Sequence, residues 1–427
     1  MSALLLALLL LAVGSRCAGL LTGPRDGRAQ RLVLSWVAGL LALYLVEMAC
    51  DLAGLRWDRW SLGLGLLAVA FAAHRFLPRP RATPALSSDL GWGDAVALAA
   101  LAAFALFATT LWVTTPDWAY HWGLKGQRFF LAGGIDYELL TRPWSASLHP
   151  DYPSLLPGLY AATALLAGRF AAPPQMLWSV LFCAALLAAA RELLRAQGVD
   201  RAARQAVTAL LALLVCGFAL RQLAAGGADW PLALAFVLAL PALLGAREPD
   251  LDPAAEWQLG LGAALAAASK IEGVALAAIL VAVYAVFRGR RLRPATLARI
   301  ALLPLAVALP WLVQALRHDL VLDYDAGGPS LRYAGAVGAA LVETLGRREW
   351  SGLAVAAWLP LPLLFARRAR AFAVAAILQL GFYGWVYLSA LSDQRFYVLS
   401  TFPRLTLHVL PAALVAAAAV WLRERPR

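Results

Sequence analysis

Lysine is nearly missing from this chain. Of its 37 basic residues only Lys125 and Lys270 are lysine, so arginine serves wherever a generic positive charge suffices. The two exceptions read either as places where a compact ammonium is wanted instead of a planar fork, or as drift in a skewed composition. Charge of either sign is scarce: 15% of the 427 residues are charged and 62% are hydrophobic. No soluble domain of this size has a core able to hide so much apolar surface. Cys17, Cys50, Cys183 and Cys216 lie apart, within or beside apolar segments, which excludes a disulfide framework or a thiolate metal site. A basic stretch ahead of the first apolar run is lacking, so MSALLLALLLLAVG reads as a retained span. No convincing internal repeat and no soluble domain stand out.

What remains is a polytopic membrane protein. A bilayer crossing takes roughly 20 apolar residues, and the chain supplies about a dozen stretches near that length. Backbone groups in lipid must be satisfied within their own segment, so the expected class is all-α, with about 12 or 13 transmembrane or re-entrant helices. The net charge of +12 comes from arginines in short clusters between apolar segments, the pattern of cytoplasmic loops rather than of a nucleic-acid surface. Arg16, Arg25, Arg28 and Arg31, then Arg75, Arg79 and Arg81, are predicted inside, leaving residues 51–59 outside. Arg191, Arg195, Arg201 and Arg204 are again inside, so residues 154–190 cross once, and SLLPGLYAATALLAG becomes a re-entrant or interfacial candidate.

Sidedness fixes one more feature. Arg247 and the group Arg288, Arg290, Arg291 and Arg293 are both inside, so residues 258–287 go out and come back. Each arm of that hairpin reaches only about 18 to 24 Å, which places the turn Ser269-Lys270-Ile271-Glu272-Gly273 in the outer half of the bilayer. The arginines at 367, 368 and 370 are inside, residues 392–403 form a short outer loop, and residues 405–422 are the last span.

The longest polar interruption in the first half, residues 114–153, holds two of the five histidines and is expected to be a large outer loop with short interfacial helices. Asp117, His121 and Lys125 recur every four residues and share a face beside Trp118, Trp122 and Phe129. Asp117 is equally an N-cap on propensity alone. His149, Asp151 and Tyr152 lie in a turn stiffened by Pro150 and Pro153, where Asp151 and Ser154 also qualify as caps. Asp229, ahead of Pro231, invites the same cap explanation, and Arg221 flanks that turn. Lys270 and Glu272 can pair with each other, but a pair at membrane depth still needs a polar cavity. Arg395 and Arg404, with Tyr397 and His408, form a late outer group, and arginine is the natural ligand of phosphate. All of these sort to one side of the membrane.

Taken in order, an aspartate opening the first long outer loop, HPDYP, ADWPLA, SKIEG and SxxxRLTLHVLP resemble the bacterial GT-C glycosyltransferases. They are most similar to the polyprenyl-phosphate-sugar-dependent group that includes protein mannosyltransferases and the lipid A aminoarabinose transferase. The resemblance covers roughly residues 94–420, within a catalytic transmembrane domain of residues 94–427, with residues 1–93 as an extra N-terminal part. It implies an inverting transferase of the bacterial plasma membrane, active on the extracytoplasmic side. Asp117 would be the general base, Lys270 and Arg404, with Arg395, the partners of the leaving phosphate, and His149, Asp151 and Tyr152 the walls of the sugar pocket. His121, Lys125, Asp229 and Glu272 complete the substrate-binding set. The partners implied are a polyprenyl-phosphate-linked sugar, a glycan, lipid or cell-envelope polymer as acceptor, and membrane lipids. Trp118 follows Asp117 where protein mannosyltransferases have a glutamate, which argues against a protein acceptor. The loop lacks a clean DxD, so no metal ligand is named and dependence on a divalent metal stays open. A transporter or flippase of a lipid-linked sugar is the alternative, and a non-catalytic assembly partner a third.

Overall fold

The computed structural model describes the whole chain except residues 25, 79–89, 111–116, 223–226, 321–327, 347–357, 390–392 and 424–427, and the side chains of 146–147 and 218–222. Arg25, Arg79, Arg81, residues 114–116 of the polar loop and the Arg221 side chain therefore lie outside the described residues. The described residues are mostly helical and form no strand. In order the chain forms α1 (Ser2–Gly14), α2 (Arg28–Leu52), α3 (Arg59–Phe76), α4 (Trp92–Thr110), α5 (Gly123–Ala132), α6 (Leu155–Ala167), α7 (Ala172–Ala196) and α8 (Arg201–Gln222). The second half comprises α9 (Asp229–Gly245), α10 (Pro253–Ser269), α11 (Ile271–Arg288), α12 (Pro294–Arg317), α13 (Ala334–Gly346), α14 (Arg370–Ser389), α15 (Gln394–Thr406) and α16 (Leu410–Trp421).

Among the described residues six helices are long and apolar enough to cross a membrane: α2, α4, α7, α11 with the turn that extends it to Arg291, α12 and α14. The pair α15 and α16, bent by 43°, makes a seventh if it crosses as one broken span. The protein is thus an all-α polytopic membrane protein. The expected 12 or 13 segments included shorter helices as well. At 13 residues α1 and α6, and at 17 residues α9 and α10, fall short of a full crossing at 1.5 Å per residue.

Burial explains why the short helices are stable. All of α9 except Pro241 is buried, from Asp229 to Gly245, so it is a central post surrounded by protein on every side. A helix that is apolar all round belongs in such a place. The first ten residues of α6 are likewise buried, so SLLPGLYAATALLAG forms a short helix inside the protein, joined to α7 through the left-handed Gly168 (φ 73°). The predicted hairpin exists as α10 and α11, broken at the extended residue Lys270 (φ −166°, ψ 169°). Its second arm, 21 residues to Arg291, is longer than the sequence arithmetic allowed because the helix runs on through the arginine cluster.

Polar networks occupy the two ends of these helices. At one end, Arg191 meets Asp94 at 2.6 Å, Arg299 meets Glu256 at 2.6 Å, Arg368 donates to Gln197 at 2.7 Å and Gln258 donates to Asp26 at 2.9 Å. These pairs tie the start of α4 to the end of α7, the start of α12 to that of α10, the end of α7 to the segment before α14, and α10 to the turn before α2. The helices α9, α10 and α11 carry their other ends to Asp229, Ser269 and Ile271. There, Asp51 at the end of α2 accepts from Tyr137 at 2.6 Å and from Gln314, and Tyr137 stacks on His318 with ring centroids 3.6 Å apart. The polar loop is thereby fastened to α2 and α12.

The N-terminal helices belong to the same apolar core. Trp36 of α2 stacks on Trp178 of α7 at 6.3 Å, and one continuous cluster runs from Ala3 to Ala419. The crossing of α1 and α2 is made by glycine. A Cβ at Gly39 would overlap the backbone carbonyl of Leu10, so the two helices touch backbone to backbone, as small residues permit in membranes. Gly39→Val should lower the thermal unfolding midpoint in detergent, at a cost of about 1 to 3 kcal/mol. Gly63→Ala, whose Cβ would meet nothing within 4 Å, should leave that midpoint unchanged.

Candidate functional site

The site grows from interruptions in the helices. Asp229 is the first residue of α9, with the amide dipoles of the first turn behind it, which favours a negative charge. Lys270 is the single extended residue between α10 and α11, and Glu272 lies in the first turn of α11. Gly273 allows this tight return, because a Cβ there would overlap the carbonyl of Ala266. His408 falls in the three-residue break between α15 and α16, and Arg404 in the last turn of α15. Three helix ends or breaks thus deliver five ionisable groups to one place.

Their geometry is a chain of ion pairs and hydrogen bonds. Asp229 faces Arg404 Nε through Oδ2 at 3.0 Å, and through Oδ1 faces His408 Nε2 at 2.9 Å and Lys270 Nζ at 3.4 Å. Lys270 Nζ also lies 3.4 Å from Glu272 Oε1, which accepts from the Tyr152 hydroxyl at 3.2 Å. The second ring nitrogen of His408 meets the hydroxyl of Tyr383 on α14. Arg404 reaches outward to Asp117 Oδ2 at 2.6 Å. Asp229, Lys270 and His408 are buried, whereas the Asp117 and Arg404 side chains remain 33% and 24% exposed, forming the mouth.

The polar loop supplies the adjoining wall. Asp117 leads into a π-helical turn, Trp118–Trp122, continued by α5. The wider turn keeps Asp117, His121 and Lys125 on one side, and such turns are frequent at functional sites. Asp117 makes no capping hydrogen bond, so the cap explanation gives way to the ion pair with Arg404. Neither Ser154 nor Asp229 caps a helix either, since α6 and α9 both begin without a side-chain cap. Lys125 is buried, donates to the carbonyl of His149 at 3.1 Å and lies over Trp122, 5.0 Å from its ring centroid. His149 takes a left-handed backbone (φ 49°), a strained state for a non-glycine residue, and stacks on Tyr152 at 4.6 Å. Asp151 is buried, with its backbone carbonyl accepting from Trp311 at 2.8 Å.

Of the eleven residues expected at the site, the structure gathers Asp117, His121, Lys125, His149, Asp151, Tyr152, Asp229, Lys270, Glu272 and Arg404. Arg395 stands apart: it is exposed and grips Glu343 with two bonds of 2.9 Å. An exposed carboxylate on α13 was a nearer partner than the buried cluster. Sequence reasoning missed Gln379 and Tyr383. They recur four residues apart on apolar α14, with Tyr387 one turn further, and this polar stripe was the available signal. Gln379 donates to the backbone carbonyl of Glu272 at 3.3 Å. Among the described residues no three His, Cys, Asp or Glu side chains converge as a metal-ligand set.

His121 is buried with no hydrogen bond to either ring nitrogen in the structure. Burial, reinforced by the neighbouring positive charge of Lys125, pushes its pKa well below the usual imidazole value. The unfolded chain therefore takes up a proton that the folded site refuses. Stability should fall as pH drops below about 6.5, the ordinary histidine value. Thermal unfolding between pH 8 and pH 5 checks this: His121→Phe should flatten part of that slope, and an unchanged slope would contradict it. Removing a buried partner is costlier, so Asp229→Asn should destabilise by about 3 to 5 kcal/mol, more than Asp117→Asn at the exposed mouth. Comparison with known proteins identifies no relative: no family model, curated protein or solved structure matches the chain.

Proposed function

We propose that this cluster transfers a sugar from a polyprenyl-phosphate donor to a hydroxyl acceptor, with inversion at the anomeric carbon. The observation that carries the reading is the Asp117–Arg404–Asp229–Lys270 chain, a carboxylate at the mouth backed by two cations held in place from behind. In the reaction Asp117 receives the acceptor proton while the acceptor oxygen attacks the anomeric carbon. The bond from that carbon to the phosphate oxygen breaks, and the phosphate leaves with the electron pair. Its growing charge falls to Arg404, with Lys270 behind it, cationic donors of the kind that act most strongly in the transition state. His121, Lys125, His149, Asp151 and Tyr152 line the adjoining space for the sugar.

A donor of this type needs a lipid path beside the phosphate. An apolar groove of about 250 Å³ runs between α13, α14 and α15, lined by Leu341, Trp358, Leu380, Tyr387 and Phe402. Phe402 shares α15 with Arg404, and in this reading a polyprenyl tail in the groove points its phosphate end toward the cations. The likeness of the sequence motifs to GT-C glycosyltransferases agrees with this reading. The positive-inside pattern supports a cytoplasmic arginine end, and together with the GT-C likeness we read the site as lying on the extracytoplasmic face of a bacterial plasma membrane. A flippase would place charge at successive depths, whereas these helices carry their ionic networks at two ends with apolar turns between.

The test uses purified protein in lipid nanodiscs with radiolabelled polyprenyl-phosphate sugar and extracts of envelope glycans and lipids. Wild type should release polyprenyl phosphate, and Asp117→Asn should lower the rate by about 10² to 10⁴. Equal release by both would overturn the assignment of the base.

A further inference from the structure

The charges at the site are already spoken for, and this has a consequence for how an anionic donor enters. Four carboxylates, Asp117, Asp151, Asp229 and Glu272, share the cluster with three cations, Lys125, Lys270 and Arg404. Among the described residues Lys270 and Arg404 are each held by carboxylates, so a phosphate that binds either must take it from its partner. Lys270 cannot move to meet it, since it is buried between Asp229 and Glu272 at a backbone break. Arg404 can. Its guanidinium is the outermost cation of the chain, and if it turns toward the mouth Asp229 still keeps Lys270 and His408. The same guanidinium sits 2.6 Å from Asp117 Oδ2, so in the unliganded state it occupies the oxygen that an acceptor hydroxyl would use.

We propose that Asp117 and the donor phosphate compete for Arg404. The phosphate takes the guanidinium, and only then is the Asp117 oxygen vacated for the acceptor proton. Donor binding therefore precedes productive acceptor binding at that oxygen. This rests on the donor class proposed above.

The competition predicts an effect that a purely catalytic Asp117 would not produce: removing its charge strengthens binding of the phosphate. The probe is polyprenyl phosphate with a fluorescent tail, titrated into full-length protein in nanodiscs, each variant first shown to run as a single folded species. Asp117→Asn should tighten binding about two- to fivefold, the scale of a part-exposed ion pair, with Asp117→Ser as a second variant. Arg404→Gln should weaken binding, and in that background Asp117→Asn should bring no gain. Unchanged affinity in both Asp117 variants overturns the competition while leaving the donor class standing. A gain that persists without Arg404 also overturns it, because the effect would then be general charge removal. Failure of every folded protein, wild type included, to bind the lipid overturns the donor class itself.

Discussion

The constraint on which this architecture turns is the burial of one carboxylate. Asp229 is 1% exposed at the head of a helix that is itself wrapped in protein. A lone carboxylate there would cost several kcal/mol, and the cost falls only if cations and hydrogen bonds are delivered to it. Lys270, His408 and Arg404 come from separate elements, and each arrives at an interruption or an end of a helix. In lipid such interruptions leave backbone groups unsatisfied, so they are tolerated only where protein encloses them. The charge and the broken helices therefore require each other.

This reciprocity accounts for the plan of the molecule. The hairpin of α10 and α11 exists to bring Lys270 and Glu272 under Asp229, and the bend between α15 and α16 brings His408 beside it. Tyr383 and Gln379 on α14 hold His408 and the start of α11 from the far side. The polar loop closes the remaining face, pinned by Tyr152 to Glu272, by Lys125 to the His149 carbonyl and by Tyr137 to Asp51. At the opposite end, the arginine networks fix the same helices to one another, so the site is held by rigid posts rather than by loops alone.

Much of this was legible from residue type and spacing. The apolar content implied an all-α membrane protein, and arginine placement forced the chain to double back near Lys270, where the structure has its break. The scarcity of lysine was informative, because both lysines are buried in or beside the cluster. Other features could not be read. Whether Asp117 caps a helix or pairs with Arg404 depends on a contact across nearly 290 residues of chain, and local propensity is silent on it. Arg395 was misplaced for the same reason, since its partner Glu343 lies 52 residues away on α13. Nor does an apolar run show where its helix ends: α1, α6, α9 and α10 are shorter than a full crossing, and α6, α9 and α10 are largely enclosed by protein.

The most direct test of the central claim is a cryo-EM structure of the protein in a nanodisc with a non-transferable polyprenyl-phosphonate sugar. The account predicts phosphonate density within hydrogen-bonding distance of Arg404 and on the side facing Lys270, the sugar against His121, His149 and Tyr152, and the tail along the groove beside Phe402. Density for the head group anywhere else, or a bound lipid whose phosphonate leaves both cations untouched, would contradict it.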